Sequence, residues 1–434
     1  MRDRYAEYKD SGLEWIGEIP AHWSCCKTLY ALSMPITDGP HETPKLYNDG
    51  IPFVSAESVS AGNGRIDFSH IRGFISEEYY RECCKKYVPK LNDIYMIKSG
   101  ATTGTVALVD TEDVFTIWSP LAVFRCKDSF VLHKFLFYFL QSKGYQKQVE
   151  NMWSYGTQQN IGMRTLERLR ICVPPTNEQA TIADYLDKCT SKINELISNL
   201  QTQLSMLTRY KRDLIAECVT KGLDKSAPMK LSGEDWIGDV PEHWRIQPLF
   251  SVAKENKKKN VGLVCDNLLS LSYGNIIRKD INSNYGLLPA SFEGYQVVQE
   301  GDTVLRLTDL QNDKRSLRTG YVKEKGIITS AYLALIPSTE MDSKYFRYLL
   351  HVYDLIKVFY GFGSGLRQTL NFSDLKRLPV LMPPVEEQER IAAYLDEKIR
   401  QIDAVVDGIT SQIKKLKDYR RILIHDAVTG KIKI

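Results

Sequence analysis

The sequence predicts a mixed α/β protein built as a tandem duplication, in which each copy has a globular body followed by a long helix. The phrase LEWIGEIPAHW at 13–23 returns as EDWIGDVPEHW at 234–244. The run CVPPTNEQATIADYLDK at 172–188 returns as LMPPVEEQERIAAYLDE at 381–397. Between these phrases, strand-like and helix-like patterns alternate, which is typical of a mixed fold.

The second copy follows the first at a spacing of 209 residues over most of its length. Residues 156–161 map onto 365–370 at that spacing, and Asp93 maps onto Asp302. This period far exceeds that of a solenoid repeat, so a domain and its helix were duplicated together. The predicted segments are a first body at 1–173, a central helix at 174–223, a second body at 224–382 and a C-terminal helix at 383–434.

Both predicted helices carry a heptad seam, because apolar residues recur at alternating steps of four and three. About 44 residues would give a rod of roughly 65 Å. One such helix cannot bury its stripe alone, so the two are expected to pair antiparallel with pseudo-twofold symmetry and a body at each end. The predicted seam is Ile182, Leu186, Cys189, Ile193, Leu196, Leu200, Gln203, Leu207, Tyr210 and Leu214, and Ile391, Leu395, Lys398, Ile402, Val405, Ile409, Gln412, Leu416, Tyr419 and Leu423.

The predicted helix ends also match between the copies. Pro174-Pro175 ends the preceding strand, and Asn177 is a suitable N-cap. Gly222 and Gly430 stand where a helix should stop. Gly408 is expected to interrupt the second helix. Each body also holds an aromatic amphipathic helix whose stripe is predicted to lie in the core.

Composition excludes several classes of protein. The chain has 434 residues and a net charge of +4, which permits a nucleic-acid partner without strongly indicating one. No apolar run reaches the roughly 18 residues of a membrane span, and the N-terminus lacks a signal-peptide core, so a cytoplasmic location is expected. The nine cysteines include no CxxC pair and are expected to be reduced packing thiols.

Reactive motifs are missing from both copies. No phosphate-binding loop, GxSxG or HExxH occurs, and the histidines lack metal-ligand spacing. The Pro-Pro pairs at 174–175 and 383–384 lack the polar and aromatic neighbours of an amino-methyltransferase loop, so they indicate helix entries. We therefore expect no catalytic residues, no metal and no cofactor in this chain.

Together, the WIG…P.HW entry, the variable body and the PPxxEQxxIAxYLD helix, repeated once, resemble the specificity subunit of type I restriction-modification enzymes. The resemblance covers essentially the full chain. It implies that each body is a target recognition domain for one half of a bipartite DNA site, with the paired helices setting the gap. It also implies two modification subunits that bring S-adenosylmethionine, and restriction subunits that use ATP and Mg²⁺. The chain itself would be non-catalytic.

Candidate DNA contacts lie on polar loops between predicted strands, because Arg and Lys bind phosphate while Arg, Asn and Gln read base edges. The loops of the first body are 37–45, 98–104 and 154–160, with counterparts at 254–260, 306–320 and 361–369. The candidates are Lys45, Lys98, Ser99, Thr102, Thr103, Gln158 and Gln159, and Lys257, Lys258, Arg306, Arg315, Arg318, Arg367 and Gln368.

Two other functions compete with DNA recognition. A coiled-coil scaffold without DNA would carry the same helices. A stand-alone nuclease or methyltransferase would need a site that no motif in the sequence indicates. The glycine-glutamine pairs at 156/159 and 365/368 recur in both copies. A shared structural turn and a phosphate contact explain this recurrence equally well.

Overall fold

The computed structural model describes residues 3–155, 159–281, 289, 291–310, 313, 316–362 and 369–434, with the side chains at 154 and 155 left out. The chain forms two compact units. The first contains Met1–Leu200 and Thr410–Ile434, and the second contains Gln201–Ile409. Each unit therefore holds one body, the start of the long helix that follows it and the end of the other long helix. The mixed α/β fold class with two bodies and an internal repeat is confirmed.

The helices are two long ones and several short ones. The long helices are Thr176–Lys221 and Val385–Val428, which we call the central and the C-terminal helix. The short α-helices are Ala56–Ala61, Glu77–Cys84, His133–Gln141, Lys143–Met152 and Met163–Arg168 in the first body, and Leu249–Val252, Ser343–Leu355 and Phe372–Leu375 in the second. Single 3₁₀ turns cover Thr28–Ala31, Phe68–His70, Val261–Leu263 and Val358–Gly361.

The strands are short, and the opening hairpin, the pair that closes each body and the central sheet correspond between the two bodies. Those of the first are Tyr8–Asp10, Glu18–Pro20, Ser24–Lys27, Thr37–Asp38, Ile51–Val54, Phe74–Ile75, Ile94–Ile97, Val106–Leu108, Thr116–Ile117, Leu121–Phe124, Ser154–Tyr155, Gln159–Asn160 and Arg170–Val173. Those of the second are Met229–Leu231, Asp239–Pro241, Arg245–Pro248, Ala253–Glu255, Leu269–Ser272, Asn275–Arg278, Gln296–Val298, Thr303–Leu305, Thr319–Tyr321, Gly326–Ile328, Leu333–Pro337 and Pro379–Met382.

A four-stranded antiparallel sheet forms the centre of each body. In the first body its order is Thr37–Asp38, Leu121–Phe124, Ile94–Ile97 and Val106–Leu108. In the second its order is Ala253–Glu255, Leu333–Pro337, Thr303–Leu305 and Thr319–Tyr321. The anchors Asp93 and Asp302 directly precede the third strand of each sheet, and their carboxylates accept the backbone N–H groups of Lys90 and Gln299 at 2.9 Å.

The aromatic helices lie in the core, as predicted. Phe135 and Phe139 of the first body and Tyr345 and Tyr353 of the second are fully buried. The hydroxyls of Tyr138 and Tyr348 donate to Asp187 and Asp396 of the long helices at 2.6 and 2.7 Å. These bonds explain why the YLD triplet recurs: its Asp ties each helix to the body that precedes it.

The repeated opening phrase supplies the turn and the second strand of a β-hairpin in each body, whose first strand is Tyr8–Asp10 or Met229–Leu231. Its turn needs Gly17 and Gly238, whose φ angles are +70° and +73°, values that residues with a Cβ rarely adopt. The second Trp of each phrase, Trp23 or Trp244, is fully buried. A Cβ placed on Gly430 would lie 2.3 Å from Pro20, and one on Gly222 would lie 3.3 Å from Trp244. Each body thus packs against the end of the other copy's helix.

The glutamine of each PPxxEQ run fastens the start of its helix to the preceding body. Gln179 is buried, accepts the Leu132 N–H at 2.8 Å and donates to the carbonyl oxygens of Phe130 and Pro174. Gln388 repeats this arrangement with Asp342, Glu340 and Pro383. The two matched sequences therefore perform the same structural task.

The long helices run antiparallel within each unit. In the second unit, Lys211 binds Asp403 at 2.6 Å, while the helix end at Gly222 lies against Glu387. In the first unit, the end at Gly430 packs on Trp23, whose indole donates to Glu178 at 3.3 Å. In both units the later part of one helix therefore lies beside the earlier part of the other.

The heptad seam is offset from the predicted one at alternate positions. Leu196, Tyr210, Val405 and Tyr419 were expected to face inward but are about half exposed. At each of these places the residue that faces inward is the one that follows in sequence. Several of the inward residues are polar and have partners: Thr190 bonds Tyr138, Lys211 binds Asp403 and Arg420 contacts Gln141. The observed seam is Leu186, Thr190, Ile193, Ile197, Leu200, Leu204, Leu207, Lys211, Leu214 and Cys218, and Leu395, Ile399, Ile402, Val406, Ile409, Ile413, Leu416, Arg420, Leu423 and Ala427.

Two further expectations are corrected. Gly408 does not interrupt the C-terminal helix, which passes through it on an exposed face. The cysteines are not all reduced, since Cys25 and Cys172 form a disulfide between directly paired residues of Ser24–Lys27 and Arg170–Val173. The disulfide joins residues 147 apart in sequence, a pairing that the local sequence does not reveal. Among the described residues, no helix is long and apolar enough to cross a membrane.

Candidate nucleic-acid interface

Two of the three predicted loops of the first body meet at one junction. The backbone N–H of Ile161 donates to the carbonyl oxygen of Lys98 at 2.9 Å, and the N–H of Gly100 donates to Gln159 at 3.0 Å. The Thr103 hydroxyl closes the turn by donating to the Gly100 carbonyl at 2.7 Å. These backbone contacts place residues 159–161 beside loop 98–104, although more than 50 residues separate them in sequence.

One backbone hydrogen bond of this junction recurs in the second body. The N–H of Leu370 donates to the carbonyl oxygen of Leu307 at 3.0 Å. Leu370 and Leu307 stand 209 residues after Ile161 and Lys98, the spacing found in the sequence. The backbone arrangement is therefore shared while the side chains differ, because the body with Lys98 has an inward ammonium where the other has a buried leucine.

The third loop, 37–45, joins the same junction through Asp38. This fully buried carboxylate lies 3.3 Å from the Lys98 ammonium and 3.1 Å from His41 Nε2, and it also binds Lys86. All three loops predicted from the first body thus converge.

The strand register identifies the counterpart of this loop. Thr37 pairs with Val123 on the edge strand of the first sheet. At the matching place in the second sheet, the N–H of Asn256 donates to the Ala334 carbonyl at 2.8 Å. One residue further on, Lys257 takes the place of Asp38. The 254–260 run therefore follows the same edge strand as loop 37–45.

The predicted contacts of the first body differ in exposure. Lys45 is exposed, and its ammonium lies 5.2 Å from the centroid of the Tyr47 ring. Thr102 is exposed, while Ser99, Thr103 and Gln159 are half-buried at the junction. Gln158 lies outside the described residues. These positions remain predicted DNA contacts.

In the second body, Lys257 and Lys258 are exposed and Arg306 is half-buried. Lys257 lies 3.3 Å from Glu255, and the Arg306 N–H donates to the Arg318 carbonyl at 2.8 Å. Arg315, Arg367 and Gln368 lie outside the described residues. The described members of this set also remain predictions.

Two predicted residues point inward and are withdrawn as DNA contacts. Arg318 has no exposed surface, because its guanidinium donates to the Thr308 carbonyl oxygen at 2.8 Å and to further carbonyls of the same loop. Lys98 is about nine-tenths buried and faces Asp38. Both buried cations bind groups of the surrounding loops. The local sequence does not distinguish such a buried cation from one exposed on the surface.

Sequence reasoning missed Lys86 and His41. Lys86 follows the helix Glu77–Cys84 and reaches Asp38 from 48 residues away, donating also to the Gly39 carbonyl at 3.2 Å. His41 lay within a predicted loop but was not selected. Nothing in the local sequence marks Lys86, because only the folded sheet brings it to the loop.

The second unit contains a large cleft, of about 1330 Å³, between the long helices and the body. At its wall, burial together with the charges of Arg347 and Lys211 lowers the pKa of His351 to about 4, so its imidazole is neutral at physiological pH. The carboxylates of Asp396 and Asp403 in this cleft bind lysines. In the described part of the chain, no group of three or more His, Cys, Asp or Glu residues could hold a metal.

Known proteins are similar to this chain in sequence and in fold. A family model described as the type I restriction modification DNA specificity domain matches residues 40–206 and 314–415, more than half of the chain. The MjaVIII specificity subunit of a type I restriction enzyme from Methanocaldococcus jannaschii is 22% identical over 389 residues, covering 84% of this chain and 85% of that protein. The MjaIX specificity subunit from the same organism is 20% identical over 436 residues, covering 99% and 97%.

A solved structure has a similar fold. It is described as the structural basis of complex assembly and conformational transition of the type I R-M system. The two chains align with a TM-score of 0.69 at 15% identity, over 95% of this chain and 99% of that one. At this identity the likeness concerns the fold alone.

Proposed function

The chain belongs to the family of type I restriction modification DNA specificity domains, and on that premise we propose that each body reads one half of an asymmetric, two-part DNA site. The chain is the DNA specificity subunit of a type I restriction-modification system and not its catalyst.

The observation that carries the proposal is the matched loop junction. Ile161–Lys98 and Leu370–Leu307 give both bodies the same backbone frame, and each frame presents different side chains. A constant frame with variable loops suits base recognition, since phosphate contacts fix position while loop side chains read the base edges. Because the two sets of loops differ, the two half-sites should differ as well.

We further propose that the long helices set the spacing between the half-sites. Paired DNA-reading modules usually contact half-sites about one helical turn apart, roughly 34 Å. Adding one turn to the helices adds about 5.4 Å of rise. Such an insertion is expected to lengthen the spacer by one or two base pairs without changing either half-site.

The proposal includes partners that act on the DNA. Two modification subunits would dock on the helices and methylate adenine with S-adenosylmethionine, and restriction subunits using ATP and Mg²⁺ would join through them. This chain would then bind no cofactor itself. We also propose that it works in the cytoplasm, where the DNA lies.

Exchange of one body tests this division of labour. Residues 25–160 would be replaced with the equivalent body of another family member, and methylated sites would be mapped in cells that contain the modification subunits. One half-site should change while the other and the spacer length stay constant. The matched exchange of residues 246–369 should change only the other half-site.

The outcomes separate the competing functions. A scaffold without DNA contacts predicts that neither exchange alters the methylated sequence. Methyl transfer by the purified chain alone would instead indicate a catalyst.

A further inference from the structure

We propose that Lys86 and His41 form a phosphate clamp on the first body and that the buried Asp38 is the positioning residue that holds them. The inference rests on the proposed DNA-binding function and assigns residues that motif analysis did not find. The clamp would bind the DNA backbone and carry no sequence information of its own.

The geometry places one buried carboxylate between two lysine ammonium groups and the His41 imidazole. The side chain of Asp38 has no exposed surface, whereas 47% of the Lys86 side chain and 69% of the His41 side chain are exposed. Asp38 binds the Lys86 ammonium directly and lies 3.1 Å from His41 Nε2. The Lys98 ammonium approaches the same carboxylate from inside at 3.3 Å. Since one carboxylate faces two ammonium groups, the cluster keeps a net positive charge toward solvent.

The loop that carries Asp38 packs closely against its neighbours. A Cβ on Gly39 would lie 2.0 Å from the Ile117 carbonyl oxygen, so this loop rests directly on the neighbouring strand. The Gly39 carbonyl also accepts from the Lys86 ammonium at 3.2 Å. A free lysine loses side-chain conformational entropy when it is ordered. Because Lys86 is already held in the free protein, less side-chain entropy is lost when DNA binds.

The second body provides an independent observation. At the place where the first body has Asp38, the second has Lys257, followed by the exposed Lys258 and Lys259. Leu307 occupies the inward position of Lys98 and is buried. The same edge of both sheets thus presents ammonium groups, supplied by a helix end in one body and by the edge loop in the other. A shared charge from unrelated residues fits a shared ligand, and the ligand common to both half-sites is the phosphate backbone.

The test measures DNA affinity of the full chain assembled with its modification subunits. The probes are a random-sequence duplex of about 30 base pairs and a duplex carrying the genomically methylated site, each measured at several salt concentrations. Lys86→Ala should weaken binding to both probes by the same factor, about five- to ten-fold, and reduce the salt slope by about one. Lys86→Arg should restore most of the affinity, because it keeps the charge.

The matched control is Lys85→Ala, since Lys85 is adjacent and exposed but pairs with Glu82. Asp38→Asn should weaken both probes as Lys86→Ala does, with the thermal midpoint measured to verify folding. If Lys86→Ala behaves like Lys85→Ala, or alters only the specific probe, the clamp is wrong while DNA recognition stands. If the unaltered complex binds neither probe, the proposed function fails first, and the clamp with it.

Discussion

His22 Nε2 lies 2.9 Å from Glu178 Oε2 in the first unit, and His243 Nε2 lies 2.8 Å from Glu387 Oε2 in the second. The histidine belongs to the repeated opening phrase and the glutamate to the repeated PPxxEQ run. The two most similar stretches of the sequence therefore bind each other. In each copy this contact joins the opening phrase to the start of the long helix that follows the body. The two stretches are therefore similar because they make the same contact in both copies.

The buried glutamine beside this pair should be essential for stability. Gln179→Ala would leave the Leu132 N–H and two carbonyl oxygens without partners in a buried site. An orphaned buried polar group costs about 1–3 kcal/mol. We expect the free energy of unfolding to fall by at least 2 kcal/mol in chemical denaturation. Gln203→Ala, on an exposed face of the same helix, should change it by less than about 0.5 kcal/mol.

Gly408 within the C-terminal helix and Gly430 just beyond its end should respond oppositely to alanine. Gly430 has a φ of +68°, and a Cβ there would lie 2.3 Å from Pro20, so Gly430→Ala should destabilise the first unit by more than 1 kcal/mol. Gly408 lies within the helix, and a Cβ added there would have no neighbouring atom within 4 Å. Gly408→Ala should therefore stabilise the chain by about 0.5–1 kcal/mol. Thermal unfolding of the two variants measures both signs, and a shared sign would contradict this account of the helix end.

The disulfide should stabilise the first body. Cys25 and Cys172 are 147 residues apart, and closing a loop of that size restricts the unfolded chain by about 3–5 kcal/mol. A thiol reductant should therefore lower the thermal midpoint of the unaltered chain. The Cys25→Ala/Cys172→Ala variant should show no such shift. In the second body Ile246 pairs with Leu381 at the equivalent place, so the fold does not require cysteine there. Equal midpoints with and without reductant in the unaltered chain would be inconsistent with a stabilising bond.

Two arginines of one loop should separate stability from DNA binding. Arg318→Ala removes a buried guanidinium that holds the Thr308 carbonyl, and we expect unfolding free energy to fall by about 2–4 kcal/mol. Arg306→Ala should leave stability within about 0.5 kcal/mol and weaken DNA binding several-fold. Denaturation and duplex binding of both variants provide the measurement. A strongly destabilised Arg306→Ala variant would assign that side chain to the core instead.

The sequence predicted the architecture well because the repeat supplies the same information twice. The long helices, the glycines at their ends and the buried aromatic helices follow from periodicity and from matched phrases. The heptad frame was wrong at alternate positions because polar residues such as Thr190 and Lys211 face inward, where partners distant in sequence bind them. Periodicity assigns inward positions to apolar residues and cannot foresee those partners.

The candidate interface was predictable at the level of loops but not of side chains. All three loops of the first body converge, since polar loops that follow adjacent strands emerge at neighbouring places. Arg318 was assigned to the surface because an arginine in a polar loop usually lies there. Lys86 was overlooked because it reaches Asp38 only through the fold. Exposure and long-range pairing therefore limit what one sequence reveals.

The most direct test of the central claim is a genome-wide map of N6-methyladenine in cells with and without this gene, the modification subunits being present in both. We predict one asymmetric two-part motif with a fixed spacer that is methylated only when the gene is present. Methylation that is identical in the two maps, or a motif with identical half-sites, would contradict the account of two different DNA-reading bodies in one chain.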